Sequence, residues 1–146
     1  MKKIKVVFKL THPEATAPKY HSTGAAAFDF AVVEDVEIPA RGLAKVRTGL
    51  VIKVPEEHVL FVSARSSSPG KKGITLANGI GIIDSDYCGP ADEIFLSLLN
   101  LRDEPVQLTK GDRVAQGTIL PILRPEFKQV AEMVDENRGG FGSTGQ

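Results

Sequence analysis

Cysteine is almost missing from this 146-residue chain, where Cys88 stands alone. That excludes an intrachain disulfide framework and any zinc site built from several thiolates, and it suits a reducing compartment. Cys88 reads as an inert packing or bystander thiol. Net charge is missing too: 18 Lys and Arg balance 18 Asp and Glu. The molecule therefore has no long-range field with which to hold a nucleic-acid backbone or an anionic membrane, and any polyanionic ligand must be gripped locally. No stretch approaches the ~18 consecutive apolar residues that span a bilayer. Lys9 interrupts the apolar residues that follow Met1-Lys2-Lys3-Ile4-Lys5, so no secretion signal is expected. His12, His21 and His58 are scattered without ligand spacing, which gives zinc chemistry no support. These absences together predict a cytoplasmic protein with neither nucleic acid nor membrane as partner.

What is present is the make-up of one ordinary globular domain, 42% hydrophobic and 25% charged. Ile4, Val6, Phe8 and Leu10 alternate with other residues at period two, predicting a half-buried first strand. Further strand-like runs occur at Val32 to Ile38, Leu43 to Val54, Val59 to Ala64, Glu93 to Leu99, Val106 to Leu108, Val114 to Leu123 and Phe127 to Val134. Turn chemistry separates them at Pro39-Ala40-Arg41-Gly42, Pro69-Gly70, Cys88-Gly89-Pro90 and Lys110-Gly111-Asp112. No run has a long helical period and no internal repeat is visible. Short strands so punctuated predict an all-β sandwich, jelly roll or small barrel. Composition shifts after Val134, which divides the chain into a β domain at 1–134 and a glycine-rich arm at 135–146.

Three segments carry chemistry, each with a plainer alternative. The arm ends Arg138-Gly139-Gly140-Phe141-Gly142-Ser143-Thr144-Gly145. On its own it cannot pack a core, and a disordered terminus is its bland reading. Yet glycines bring backbone N–H groups close to phosphate oxygens, Arg138, Ser143 and Thr144 add donors, and Phe141 can lie flat on a base. Next, Arg65-Ser66-Ser67-Ser68-Pro69-Gly70-Lys71-Lys72-Gly73 closes an apolar strand with hydroxyls and cations, an anion cradle or else a polar surface turn. It lacks Walker spacing. Third, apolar residues in Asn78-Gly79-Ile80-Gly81-Ile82-Ile83 run straight into Asp84-Ser85-Asp86-Tyr87 as a hairpin. Asp84 at the strand end, partly desolvated by its neighbours, suits proton abstraction from water; alternatively it is a turn aspartate.

In order and over most of the chain, these segments resemble the five motifs of the trimeric dUTPase family. Gly24-Ala25-Ala26-Ala27-Phe28-Asp29-Phe30 is similar to the first motif and Arg65-Ser66-Ser67-Ser68 to the second. Gly81 to Gly89 is similar to the third, Gly111-Asp112-Arg113-Val114-Ala115-Gln116 to the fourth, and Arg138 to Gly145 to the fifth. The resemblance implies a jelly-roll-like β-barrel, a homotrimer with shared active sites, and hydrolysis of dUTP to dUMP and pyrophosphate. It implies Asp84 as general base, and Arg65, Ser66, Ser67, Ser68 and Gln116 as phosphate holders. Asn78 and the backbone through Gly81, Ile82 and Ile83 would form a uracil slot, and Tyr87 would pack on the sugar. Arg138, Phe141, Gly142, Ser143 and Thr144 would close over base and phosphates, while Asp29 and Arg113 would form a supporting charge network. Mg²⁺ would ride on the phosphates and water, with no direct protein ligand. Three departures stand out: Ala27 replaces a common glycine, Glu136 stands where many members have the arm's arginine, and Gly89 to Glu93 is longer and more acidic. The weighed alternatives are a dCTP deaminase-type sibling and a non-catalytic nucleotide-binding β-trimer.

Overall fold

The fold comes from a computed structural model in which residues 3–140 are described. Its strands are β1 (Val7–Leu10), β2 (Phe28–Ala31), β3 (Val36–Ile38), β4 (Leu43–Arg47), β5 (Leu50–Lys53) and β6 (His58–Ala64). After one π-helical turn at Ser68–Lys72 come β7 (Ile74–Leu76), β8 (Ile80–Ile83), β9 (Phe95–Asn100), β10 (Val106–Leu108) and β11 (Arg113–Pro121). Every pairing is antiparallel. The largest sheet has the order β2-β11-β6-β8, a second runs β4-β9-β7, and β1-β5 and β10-β3 form two ribbons. Most neighbours in space are distant in sequence, the mark of a jelly-roll-like barrel.

Alternating residues of these strands meet in one core that includes Phe30, Ile38, Leu60, Leu98 and Leu108. Each such side chain, when fully buried, contributes about 1.5–3 kcal/mol. Gly117 sits where β11 crosses this core: an added Cβ would lie 2.8 Å from Phe30 and 3.0 Å from both Phe28 and Leu60. Gly49 splits the expected Leu43 to Val54 run into β4 and β5, because its φ of +66° turns the chain and a Cβ would fall 2.5 Å from that of Ala15.

Three strand expectations need correction. Of the expected Val32 to Ile38 run only Val36–Ile38 is strand, the chain bending at Val33 and Glu34. The first strand forms, but only over Val7–Leu10, and all four residues are exposed rather than half-buried. Among the described residues it pairs with β5 alone, as a two-stranded ribbon, and they leave both of its faces uncovered. Phe127 to Val134 forms no strand; the last one ends at Pro121, and residues 123–140 are exposed throughout. Among the described residues this segment has no neighbouring strand to pair with.

Candidate active site

The head of β11 organises the first half of the site. Between Arg113 and Ala115 the pairing with β2 slips by one residue, a β-bulge that leaves Val114 and Ala115 both buried. Bulges re-aim backbone groups, and here the freed carbonyls face the turn after β6: Arg65 Nη1 donates to Arg113 O at 3.4 Å and Ser68 Oγ donates to Val114 O at 3.0 Å. Asp29, on β2, lies at the centre of the charges. Its carboxylate meets Arg65 Nε at 2.8 Å, Arg113 Nη1 at 2.9 Å and His21 Nε2 at 3.5 Å. Gln116, paired across both strand interfaces with Asp29 and Ser63, donates to Ser63 Oγ at 3.3 Å and Ala64 O at 3.2 Å. Arginine carries five N–H donors, so a guanidinium steadied by Asp29 retains capacity for an anion. The structure thus gathers Asp29, Arg65, Arg113 and Gln116 on one ledge.

Ser68 lies deeper in the same turn. It is buried, and its hydroxyl donates to Val114 O of β11. That bond ties the turn down, while Ser66, exposed, and Ser67, half-buried, are the more accessible hydroxyls. Lys72, at the far end of the same turn, pairs with Asp112 at 2.7 Å. Burial alone would raise the Asp112 pKa, but Lys72 and the Thr109 N–H together hold it below its ordinary value.

The second half lies on the other edge of β6. Asn78 donates to Ile80 O at 2.9 Å and, with Gly79 at φ +70°, shapes the tight turn into β8. Gly81 lets β8 approach β6, since a Cβ there would sit 3.1 Å from that of Val62. Asn78, Gly81, Ile82 and Ile83 line a cleft of about 110 Å³ together with Ile94 to Ser97 of the opposing segment. Asp84 follows β8 immediately and is exposed, not shielded by its apolar neighbours: β8 is the edge strand of its sheet, paired only with β6, and that pairing stops at Ile83. Tyr87 is also exposed, and its hydroxyl donates to Glu93 O at 3.0 Å.

The sequence singled out Glu93 only as part of an acidic stretch and the start of a strand run, with no role at the site. The available signal was its place, after Asp92, leading directly into the apolar run from Ile94. It is 5% exposed and accepts from Arg47, the Gly49 N–H and the Thr11 hydroxyl. Burial pushes its pKa up, yet these partners outweigh burial and hold it below the usual range. A depressed folded-state pKa stabilises the fold above the unfolded value and loses that contribution as pH falls through the folded one. Thermal stability should accordingly drop as the medium is acidified below about pH 4. Melting curves of the parent and of Glu93→Gln at stepped pH check this, the variant showing the shallower acid decline.

The two halves are well separated within one chain. Ile83 pairs with Leu60 and Ile80 with Ser63, so Asp84 lies beyond one end of the β6–β8 ribbon and Arg65 beyond the other. Five residues of strand from Leu60 to Arg65 span about 17 Å. Arg138 is exposed in the segment after β11. Phe141, Gly142, Ser143 and Thr144 lie outside the described residues.

A family model described as dUTPase matches residues 13–145. The chain belongs to the dUTPase family. Within it, a curated deoxyuridine 5'-triphosphate nucleotidohydrolase of Wolinella succinogenes is 42% identical over 148 aligned residues, covering 100% of this chain and 97% of the relative. The crystal structure of a dUTPase from Streptococcus mutans superposes with a TM-score of 0.75 at 36% identity, covering 82% of this chain and 98% of that one. A mutant dUTPase of Staphylococcus bacteriophage 80alpha with dUpNHpp reaches a TM-score of 0.86 over 99% of this chain and 100% of that one. At 23% identity that likeness shows the fold alone. For this dUTPase-family chain, the five motifs lie wholly inside the matched residues.

Proposed function

We propose that this dUTPase-family chain hydrolyses dUTP to dUMP and pyrophosphate, with Asp84 taking a proton from the water that attacks the α-phosphorus. The observation that carries this is continuity along β8: the residues lining the narrow cleft, Gly81 to Ile83, lead without a break into Asp84. A uracil edge held by Asn78 and the β8 backbone would place its sugar and first phosphate beside that carboxylate. Proton abstraction by a positioned base is worth about 10²–10⁴ in rate. Pyrophosphate leaves as the bond from phosphorus to its bridging oxygen breaks. Such displacement depends on positioning and charge neutralisation, so no nucleophilic Ser or Cys is required.

Arg65, Ser66, Ser67 and Gln116 hold the phosphates, with Asp29 and Arg113 fixing the angle of Arg65. A triphosphate chain is far too short to reach from the Arg65 turn to Asp84 of the same chain. That separation supports a homotrimer in which each nucleotide takes its ledge from one subunit and its slot from another. The uncovered face of β1 and the exposed segment after β11 are further surfaces for such assembly. Residues 135–146 then act as an arm: Arg138, Ser143 and Thr144 approach phosphate, Gly142 lets the backbone come close, and Phe141 caps the base, together excluding water from Asp84. The ledge offers donors suited to an anion, and Asp29 is engaged by two arginines. Among the described residues, no three His, Cys, Asp or Glu side chains cluster as a metal cage. With no such cage, Mg²⁺ would come as a companion of the triphosphate rather than as a protein-held ion, and would supply charge neutralisation beside Arg65 and Gln116. The reaction keeps uracil out of DNA and supplies dUMP for thymidylate synthesis. The lone Cys88 suits a reducing compartment, and the cytoplasm is the location that goes with this reading. No described helix is long and apolar enough to cross a membrane.

The test is release of pyrophosphate and of ammonia from dUTP, dCTP, dTTP and UTP with Mg²⁺. Pyrophosphate from dUTP alone is expected. Ammonia from dCTP would move the chain to the deaminase-type reading, and binding of dUTP without turnover to a non-catalytic module.

A further inference from the structure

Tyr87 reaches back across its own loop to a single point. Its hydroxyl donates to the main-chain carbonyl of Glu93 at 3.0 Å, although an exposed phenol could be satisfied by solvent. The residue that provides this carbonyl is unusually well fixed. The Glu93 carboxylate accepts from Arg47 Nε at 3.2 Å and Nη2 at 2.7 Å, from Gly49 N at 2.9 Å and from Thr11 Oγ1 at 3.0 Å. The next residue is fastened on both backbone sides, Ile94 N donating to Leu50 O at 2.8 Å and Thr48 Oγ1 donating to Ile94 O at 2.6 Å. A buried ion pair is weak as a source of stability, since well-packed apolar residues of similar volume often serve as well or better. What this one supplies is geometry, because it locks the height of the Glu93 carbonyl relative to β5 and therefore the position of the Tyr87 ring.

We infer that Glu93, held by Arg47, Gly49 and Thr11, is a positioning residue for sugar discrimination, setting through its carbonyl how closely the Tyr87 ring approaches the nucleotide's 2′ position. The inference rests on the reading of Tyr87 as the sugar-facing ring. Rejection of a 2′-hydroxyl is a difference between two affinities and depends on a ring that does not yield. Loosening its anchor lets the ribonucleotide in while the deoxynucleotide still binds. This makes Glu93 a determinant of substrate choice without touching substrate.

The experiment measures kcat/KM for dUTP and for UTP in the parent, Tyr87→Phe, Glu93→Gln and the double variant, with melting temperatures alongside. Tyr87→Phe removes only the anchoring hydroxyl of an exposed residue, so it remains informative even if Glu93→Gln folds poorly. Losing one hydrogen bond corresponds to roughly two- to tenfold. Each single variant should lower the preference for dUTP over UTP by about that factor, through better use of UTP, and the double variant by no more than the larger single effect. Arg47→Lys, which keeps the charge but not the two-point grip, should fall between parent and Glu93→Gln. An unchanged preference in Tyr87→Phe overturns the inference. So does a lowered melting temperature with unchanged preference in Glu93→Gln, and so does full additivity in the double variant. Tyr87→Ala separates the two levels: if it leaves the preference intact, the ring does not face the sugar and the underlying reading fails first.

Discussion

Replacing Asp84 with asparagine is expected to lower kcat for dUTP by about a hundred- to ten-thousandfold while leaving KM within a few-fold of the parent. The substitution is nearly isosteric and removes only the ability to take a proton. Asp84 is exposed at the end of β8, so the fold does not depend on its charge. Its main-chain carbonyl, which accepts from Tyr87 N at 3.2 Å, is retained by asparagine. On the proposed reading, binding is supplied elsewhere, by the cleft at Asn78 to Ile83 and by the Arg65 ledge, and should survive. Steady-state kinetics together with direct titration of dUTP into the variant decide the matter. Near-normal turnover would remove Asp84 from the mechanism, whereas a parallel collapse of affinity would make it a ligand rather than a base.

Deleting Gly139 to Gln146 is expected to cost kcat/KM roughly five- to 150-fold, the equivalent of losing one aromatic-to-base stack worth about 1–3 kcal/mol, and to leave the melting temperature within about 2 °C. The asymmetry follows from burial. Residues 123–140 contribute nothing to the core, whose members all lie between Phe28 and Ala115. Removing the end of such a segment takes little apolar contact from the fold. It does take Phe141, Ser143 and Thr144, the groups proposed to meet base and phosphate. A point variant, Phe141→Ala, should reproduce most of the loss. Full activity in the truncated protein would reduce the arm to a passive terminus.

Much of this was readable from local chemistry. Alternating apolar residues located β6, β9, β10 and β11 to within a residue or two, because a strand's period of two is written directly in its side chains. Arg41 shows the limit of reading turns: the sequence marks Pro39 to Gly42, but the positive φ of 55° falls on Arg41 rather than on the glycine. Phe127 to Val134 shows another, since an apolar run becomes a strand only where a partner edge exists.

The sequence by itself determined the all-β class, the turn positions and the five motifs, because these depend on residue type and short-range order. Only the tertiary structure decided the rest. It spent the Ser68 hydroxyl on Val114, gathered Arg65 and Arg113 about Asp29, and buried Glu93 beneath Tyr87. It also set Asp84 and Arg65 at opposite ends of one ribbon. Such pairings join residues tens of positions apart, and the strand register that brings them together is fixed by how the whole core packs, which no short stretch of chain can specify.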